Sequence, residues 1–206
     1  MIKAVVFDYG GVICFPPSPE NEEALGRLIG LSVESLRELN RKYRGEYDRG
    51  TYNSRDYYKF ILSEAGIFPD DASLERIGQT DMDSWKRLNP DTVQLMRDIK
   101  AAGFTLGILS NMPHDFLAWG RQNIPVFNEA DPAIFSCDFN LIKPEAAIYE
   151  KMRELTGCAF EEIVFFDDIP NNIAMAGKLG IRGIIWEGPE AARETLKKID
   201  KGFEVL

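Results

Sequence analysis

The stretch Lys3-Ala4-Val5-Val6-Phe7-Asp8-Tyr9-Gly10-Gly11-Val12-Ile13 sets the reading of the chain. Residues 3–7 form an apolar, β-branched run, too short for a buried helix and without period-two alternation. That pattern predicts a parallel strand covered on both faces. The run ends on Asp8, and open parallel sheets bind ligands at the carboxyl ends of their strands. Two glycines follow Tyr9, and without side chains they let the backbone come close to a bound group such as phosphate.

Working outward, similar runs lie at 104–109, 163–166 and 183–186, with a weaker one at 133–137. Helical patterns separate them. Asn89-Pro90 reads as an N-cap followed by proline at the first helical position, with Leu95, Met96 and Ile99 on one stripe. Pro144 opens a second helix, aligning Ile148, Met152 and Leu155, and a third spans 170–179 before Gly180. Alternating strands and helices predict an α/β fold with a Rossmann-like, doubly wound parallel sheet. Residues 18–88 break the alternation with helix after helix: Ser32 caps a run holding Val33, Leu36 and Leu39, and Ser54 precedes one with Tyr57, Tyr58, Ile61 and Leu62. A crossover needs only one helix. The expected organisation is therefore a catalytic core of residues 1–15 and 89–206 carrying an inserted small α-helical cap domain, residues 16–88.

Composition narrows the classes of function. The net charge of −9 over 206 residues disfavours a nucleic-acid partner, which calls for a basic face. No apolar run approaches the roughly 18 residues that cross a bilayer, and Met1 leads straight into the first strand without a signal-like segment. Cys14, Cys137 and Cys158 are far apart and lack CxxC spacing, which points to free buried thiols and a cytoplasmic setting.

The strand ends collect the chemistry. Asp8 follows the first strand, Ser110 and Asn111 the second, and Asp167 and Asp168 the 163–166 run, while Lys143 precedes a helix. Three carboxylates at one sheet edge repel one another unless a cation bridges them, and oxygen ligands without imidazole or thiolate point to Mg2+. A carboxylate can attack phosphorus to form an acyl phosphate. Ser110 can donate to phosphoryl oxygens and Lys143 can supply compensating charge.

The segments 7–13 (FDYGGVI) and 108–111 (ILSN), the Lys143-Pro144 pair and 165–172 (FFDDIPNN) resemble the four ordered motifs of the haloacid dehalogenase superfamily. The resemblance implies Asp8 as nucleophile, Ser110 as the phosphate-holding hydroxyl and Lys143 as charge stabiliser. It also implies Asp168 as direct metal ligand, with Asp167 assisting directly or through water, and the Gly10 carbonyl as a further ligand. Gly10, Gly11, Ser110, Asn111 and Lys143 would surround the phosphate. One departure stands out: phosphatases of the superfamily usually carry a second aspartate two residues after the nucleophile, and this chain has Gly10 there. A subgroup similar to bacterial alpha-D-glucose-1-phosphate phosphatase has glycine at that place.

The expected activity is magnesium-dependent hydrolysis of a small phosphorylated metabolite, with a sugar phosphate as one candidate, through an aspartyl phosphate on Asp8. A phospho-ligand-binding protein of low turnover is the alternative, because Gly10 offers no acid. Hydrolytic dehalogenation of a 2-haloacid ranks third, since a halide needs no metal and Asp167-Asp168 adds negative charge. In the cap, Arg44 and Arg49 are candidate substrate contacts, and the lone His114 is a weaker candidate for facing the phosphate.

Overall fold

The computed structural model describes residues 1–206. Strand β1 (Ala4–Phe7) leads into helices α1 (Pro19–Ile29), α2 (Val33–Arg49), α3 (Ser54–Glu64) and α4 (Asp71–Ser84). The chain continues through α5 (Pro90–Ala101), β2 (Thr105–Ser110), α6 (His114–Asn123), α7 (Val126–Glu129), β3 (Ala133–Phe135) and α8 (Ser136–Phe139). It ends with α9 (Ala146–Thr156), β4 (Ile163–Asp167), α10 (Pro170–Lys178), β5 (Arg182–Ile185) and α11 (Pro189–Ile199).

The five strands form one parallel sheet in the order β3-β2-β1-β4-β5. Although β1 reads as uniformly apolar, its side chains alternate between two cores. Val5 and Phe7 pack with residues of α5, α6 and α11, while Ala4 and Val6 pack with those of α9 and α10. Burial on both faces is what a continuous apolar run in a parallel strand requires.

Local signals account for most helix starts. Asn89 accepts from the amides of Asp91 and Thr92, with Pro90 at the first helical position, and Ser32 accepts from Ser35 N. Three expected boundaries shift. The cap before α3 is Asn53, which accepts from Asp56 N, so Ser54 is already helical. Pro144 does not open α9: Ile142 O accepts from Glu145 N, closing a turn, and Glu145 is extended, so the helix begins at Ala146. The run 133–137 stops being strand at Phe135, because Ser136 starts α8 and its hydroxyl accepts from Met112 N.

Helices α1–α4 share an apolar cluster that includes Tyr57, Tyr58, Ile61, Leu62 and Leu74, all essentially buried. Removing each such side chain from water contributes about 1.5–3 kcal/mol, which lets the four helices hold together beside the sheet. They rejoin the core at Trp85 and Leu88, where Tyr9 Oη donates to Trp85 O (2.8 Å) and Asn89 N to Ile13 O (2.9 Å). No helix is long and apolar enough to cross a membrane.

Candidate active site

The register explains how distant residues meet. Phe7 pairs with Ile108 of β2 and with Phe166 of β4, so the residues just beyond these positions emerge together at one sheet edge. Those residues are Asp8, Ser110 and Asp167. Strands β1 and β4 adjoin at the topological switch point, where an open α/β sheet forms its crevice.

Lys143 enters this edge fully buried. Its Nζ lies 2.8 Å from Asp8 Oδ1 and 2.6 Å from Asp167 Oδ2. Burial alone would lower its pKa, but the two facing carboxylates outweigh that and hold it above the ordinary lysine value, so it stays an ammonium. Burial raises the Asp8 carboxyl to about 7, against the pull of Lys143 and the Ser110 hydroxyl. Tyr9 N also donates to Asp8 Oδ1 (2.7 Å), so Oδ2 is the oxygen left for another partner.

The remaining polar groups position this pair. Asn111 Oδ1 accepts from Lys143 N (2.8 Å) and its Nδ2 donates to Lys143 O (3.0 Å). The Asn111 side chain, expected among the phosphate contacts, is thus committed to the lysine's backbone. Asp167 accepts from Ile169 N, from Asn172 Nδ2 through both oxygens, and from Lys143. Asn172, which the motif analysis did not assign a role, therefore fixes Asp167; its spacing within 165–172 was the available signal.

Asp8, Asp167 and Asp168 bring carboxylate oxygens within 4.8 Å of one another. The set suits a hard cation such as magnesium. The nearby Cys14 thiol is pushed up to about 12 by burial and offers no thiolate. Within the set, Asp168 is exposed and Asp167 has both oxygens occupied by protein donors. Gly11 permits this packing: its φ is +72°, and a Cβ there would lie 2.4 Å from Asp168 Oδ2. Beside it, a Cβ on Gly10 would meet Trp85 Cζ3 at 3.2 Å, so the indole would have to shift by a few tenths of an ångström to admit any side chain there.

A cavity of about 1060 Å³ opens above Asp8, between the sheet edge and helices α2–α4. Gly10, Gly11, Ser110, Asn111, Lys143 and Asp168 line its floor. Arg44 lines its roof, with Nε 2.9 Å from Asp48 Oδ1 and Nη1 3.1 Å from Asp81 Oδ2. Burial raises the Asp48 carboxyl, with Arg44 opposing. Arg49 does not reach the cavity. It pairs with Glu145 (2.5 Å) and donates to Asn140 O (2.9 Å), fastening the end of α2 to the core, because the left-handed turn at Gly50 directs the chain across the sheet's loops. His114 likewise packs on Gly50 and is exposed, away from the cavity.

A family model of haloacid dehalogenase-like hydrolases matches residues 2–180. The chain belongs to this family. Among these hydrolases it is similar to an (S)-2-haloacid dehalogenase of Pseudomonas putida, 26% identical over 193 residues and covering 87% of this chain and 82% of the relative. It is also similar to a phosphatase of Mycobacterium tuberculosis, 24% identical over 193 residues, with 89% and 87% covered. Its fold matches a family enzyme of Bacteroides thetaiotaomicron solved with magnesium and inorganic phosphate. That match has a TM-score of 0.72, 19% identity and coverage of 90% and 94%. The relatives thus include both dehalogenases and phosphatases.

Proposed function

We propose that this haloacid dehalogenase-like hydrolase is a magnesium-dependent phosphatase of a small phosphorylated metabolite, with residues 16–88 as its cap. The observation that carries the reading is the floor of the cavity, where the Asp8 and Asp168 carboxylates meet the buried Lys143 ammonium, with Asp167 buried beneath them. When bound to Asp8, Asp168 and the Gly10 carbonyl, magnesium would offset repulsion between the phosphoryl group and the carboxylates.

The protein groups divide the remaining work. Asp8 attacks phosphorus through Oδ2 while Lys143 and Tyr9 N hold Oδ1. The phosphorus–ester oxygen bond breaks as the acyl phosphate forms, and water then cleaves that intermediate to restore Asp8. Ser110 donates to a phosphoryl oxygen and Lys143 balances its charge. Asp167 keeps Lys143 in place. Gly10 transfers no proton, so the leaving oxygen takes one from solvent, and esters with acidic leaving groups react fastest. The test is phosphate release from p-nitrophenyl phosphate with and without magnesium. Release that needs the ion and vanishes in Asp8→Asn supports the reading; equal release in Asp8→Asn removes Asp8 from the mechanism.

The contact between Gly10 and Trp85 favours a second reading, a phospho-ligand-binding protein of low turnover. Tight magnesium-dependent binding of phosphate with no hydrolysis across many esters is its signature. The dehalogenase-named relatives keep 2-haloacids as a further substrate class to assay; chelator-insensitive chloride release is what that activity would give.

A further inference from the structure

Building on the phosphatase reading, we propose that the roof of the cavity selects esters whose leaving group carries no second negative charge. That leaving group offers hydrogen-bond donors instead, either the hydroxyls of a neutral polyol or an ammonium. The two ends of the cavity differ in what they offer. Its floor holds the Lys143 ammonium and the Ser110 hydroxyl beside the Asp8 and Asp168 carboxylates, and it suits a phosphoryl group once magnesium offsets those carboxylates. Its roof is acidic.

The roof's cations are already matched. Arg55 pairs with Asp71 at 2.5 Å. Arg44 is shared by two carboxylates, Asp48 and Asp81, so that trio keeps one net negative charge. Asp81 is 7% exposed, and its other oxygen has only a long contact from Trp85 Nε1, 3.4 Å. Glu75 and Asp115 also face the cavity without a cationic partner; Asp115 accepts only from Ser54 N. Taken together, the roof groups of α2–α4 carry a net charge of −2, and Asp115, at the start of α6 on the core side, adds one more negative charge.

Ionised carboxylates only accept hydrogen bonds, so the group seated against them must donate. A carboxylate or second phosphate placed there meets the like charge of the largely buried Asp48 and Asp81 and of the solvent-facing Glu75 and Asp115, with no free guanidinium to receive it. The same field orients the ester, anionic end to the floor and donor-rich end to the roof. It also disfavours a 2-haloacid, whose carboxylate would have to lie in this space.

The test compares three esters of similar size on the full chain with magnesium: glycerol 3-phosphate, phosphoethanolamine and 3-phosphoglycerate, with p-nitrophenyl phosphate as reference. The first two are expected to exceed 3-phosphoglycerate in kcat/KM by at least about tenfold, equivalent to about 1.4 kcal/mol. A lead for glycerol 3-phosphate identifies a polyol, and a lead for phosphoethanolamine an amine. Equal or better turnover of 3-phosphoglycerate overturns the proposal. Glu75→Lys, on the exposed face of α4, should narrow the gap by about threefold or more, as a steering charge does; an unchanged gap in that variant also overturns it. Should no ester be hydrolysed, the phosphatase reading fails by itself. Protection against thermal unfolding by the same three compounds then decides the selectivity, and strongest protection by 3-phosphoglycerate counts against it.

Discussion

Lys143 Nζ stands 2.8 Å from Asp8 Oδ1, with the lysine 3% and the aspartate 6% exposed. The same ammonium is 2.6 Å from Asp167, so one cation serves two buried carboxylates. Removing it strands both. Lys143→Met is expected to cost about 3–5 kcal/mol of stability, the penalty for breaking a buried charge pair from one side. Activity should fall at least about 10²-fold, as for loss of a transition-state donor. Denaturant unfolding together with aryl phosphatase rates checks both numbers; a variant as stable and active as the parent contradicts the charge balance described.

Asn111 fixes the backbone of that lysine through two hydrogen bonds. Asn111→Ala leaves the Lys143 amide and carbonyl without these partners and should destabilise the protein by about 1–3 kcal/mol. If the residue positions Lys143 rather than binding substrate, kcat falls while KM changes little, and a steady-state comparison reads the split.

Gly11 and Asp168 pack so closely that a methyl group on Gly11 would displace the carboxylate. Its positive φ adds backbone strain for any other residue. Gly11→Ala is expected to weaken magnesium binding by about 10–100-fold, the usual scale when a ligand loses its support. Calorimetric titration with magnesium measures this directly.

Trp85 closes the space next to Gly10. Gly10→Asp therefore overpacks this contact and should cost about 1–3 kcal/mol without raising turnover. Pairing it with Trp85→Ala frees room for the new side chain and is expected to recover part of the stability. A rate increase in Gly10→Asp alone, on esters with poor leaving groups, argues against the tryptophan block.

Arg49 contacts both oxygens of Glu145 (3.1 and 2.5 Å) and holds that carboxyl below its ordinary range. A lowered folded-state pKa gives stability that is present above the unfolded value, 4.5, and is lost as pH falls through the folded one. Glu145 is 44% exposed, so screening limits the pair to about 0.2–1 kcal/mol. Arg49→Ala should lower Tm by about 0.4–4 °C at pH 7. The difference should shrink as the pH falls below 4.5 and through the lowered folded-state value, leaving the smaller share from the Asn140 carbonyl.

The sheet and the identity of its edge residues were legible in the chain itself. Short apolar runs ending on Asp8, Ser110 and Asp167 state both strand type and ligand side, since backbone periodicity and the residue that follows it are local properties. Helix starts such as Asn89-Pro90 and Ser32 were equally local. Tertiary structure alone decided which polar atom holds which. Asn111 looked like a phosphate contact and its side chain binds Lys143; Asp167, expected to assist the metal directly or through water, is also held by Lys143, Asn172 and Ile169. Arg44 and Arg49, five residues apart on α2, part company because one helix face meets the cavity and the next meets the core. The partnerships of Lys143 with Asn111 and Asp167 join residues 32 and 24 positions apart, and only packing fixes the direction of each side chain. Sequence spacing carries that information for neighbours on one helix or strand, where distance follows from backbone geometry, and not between elements.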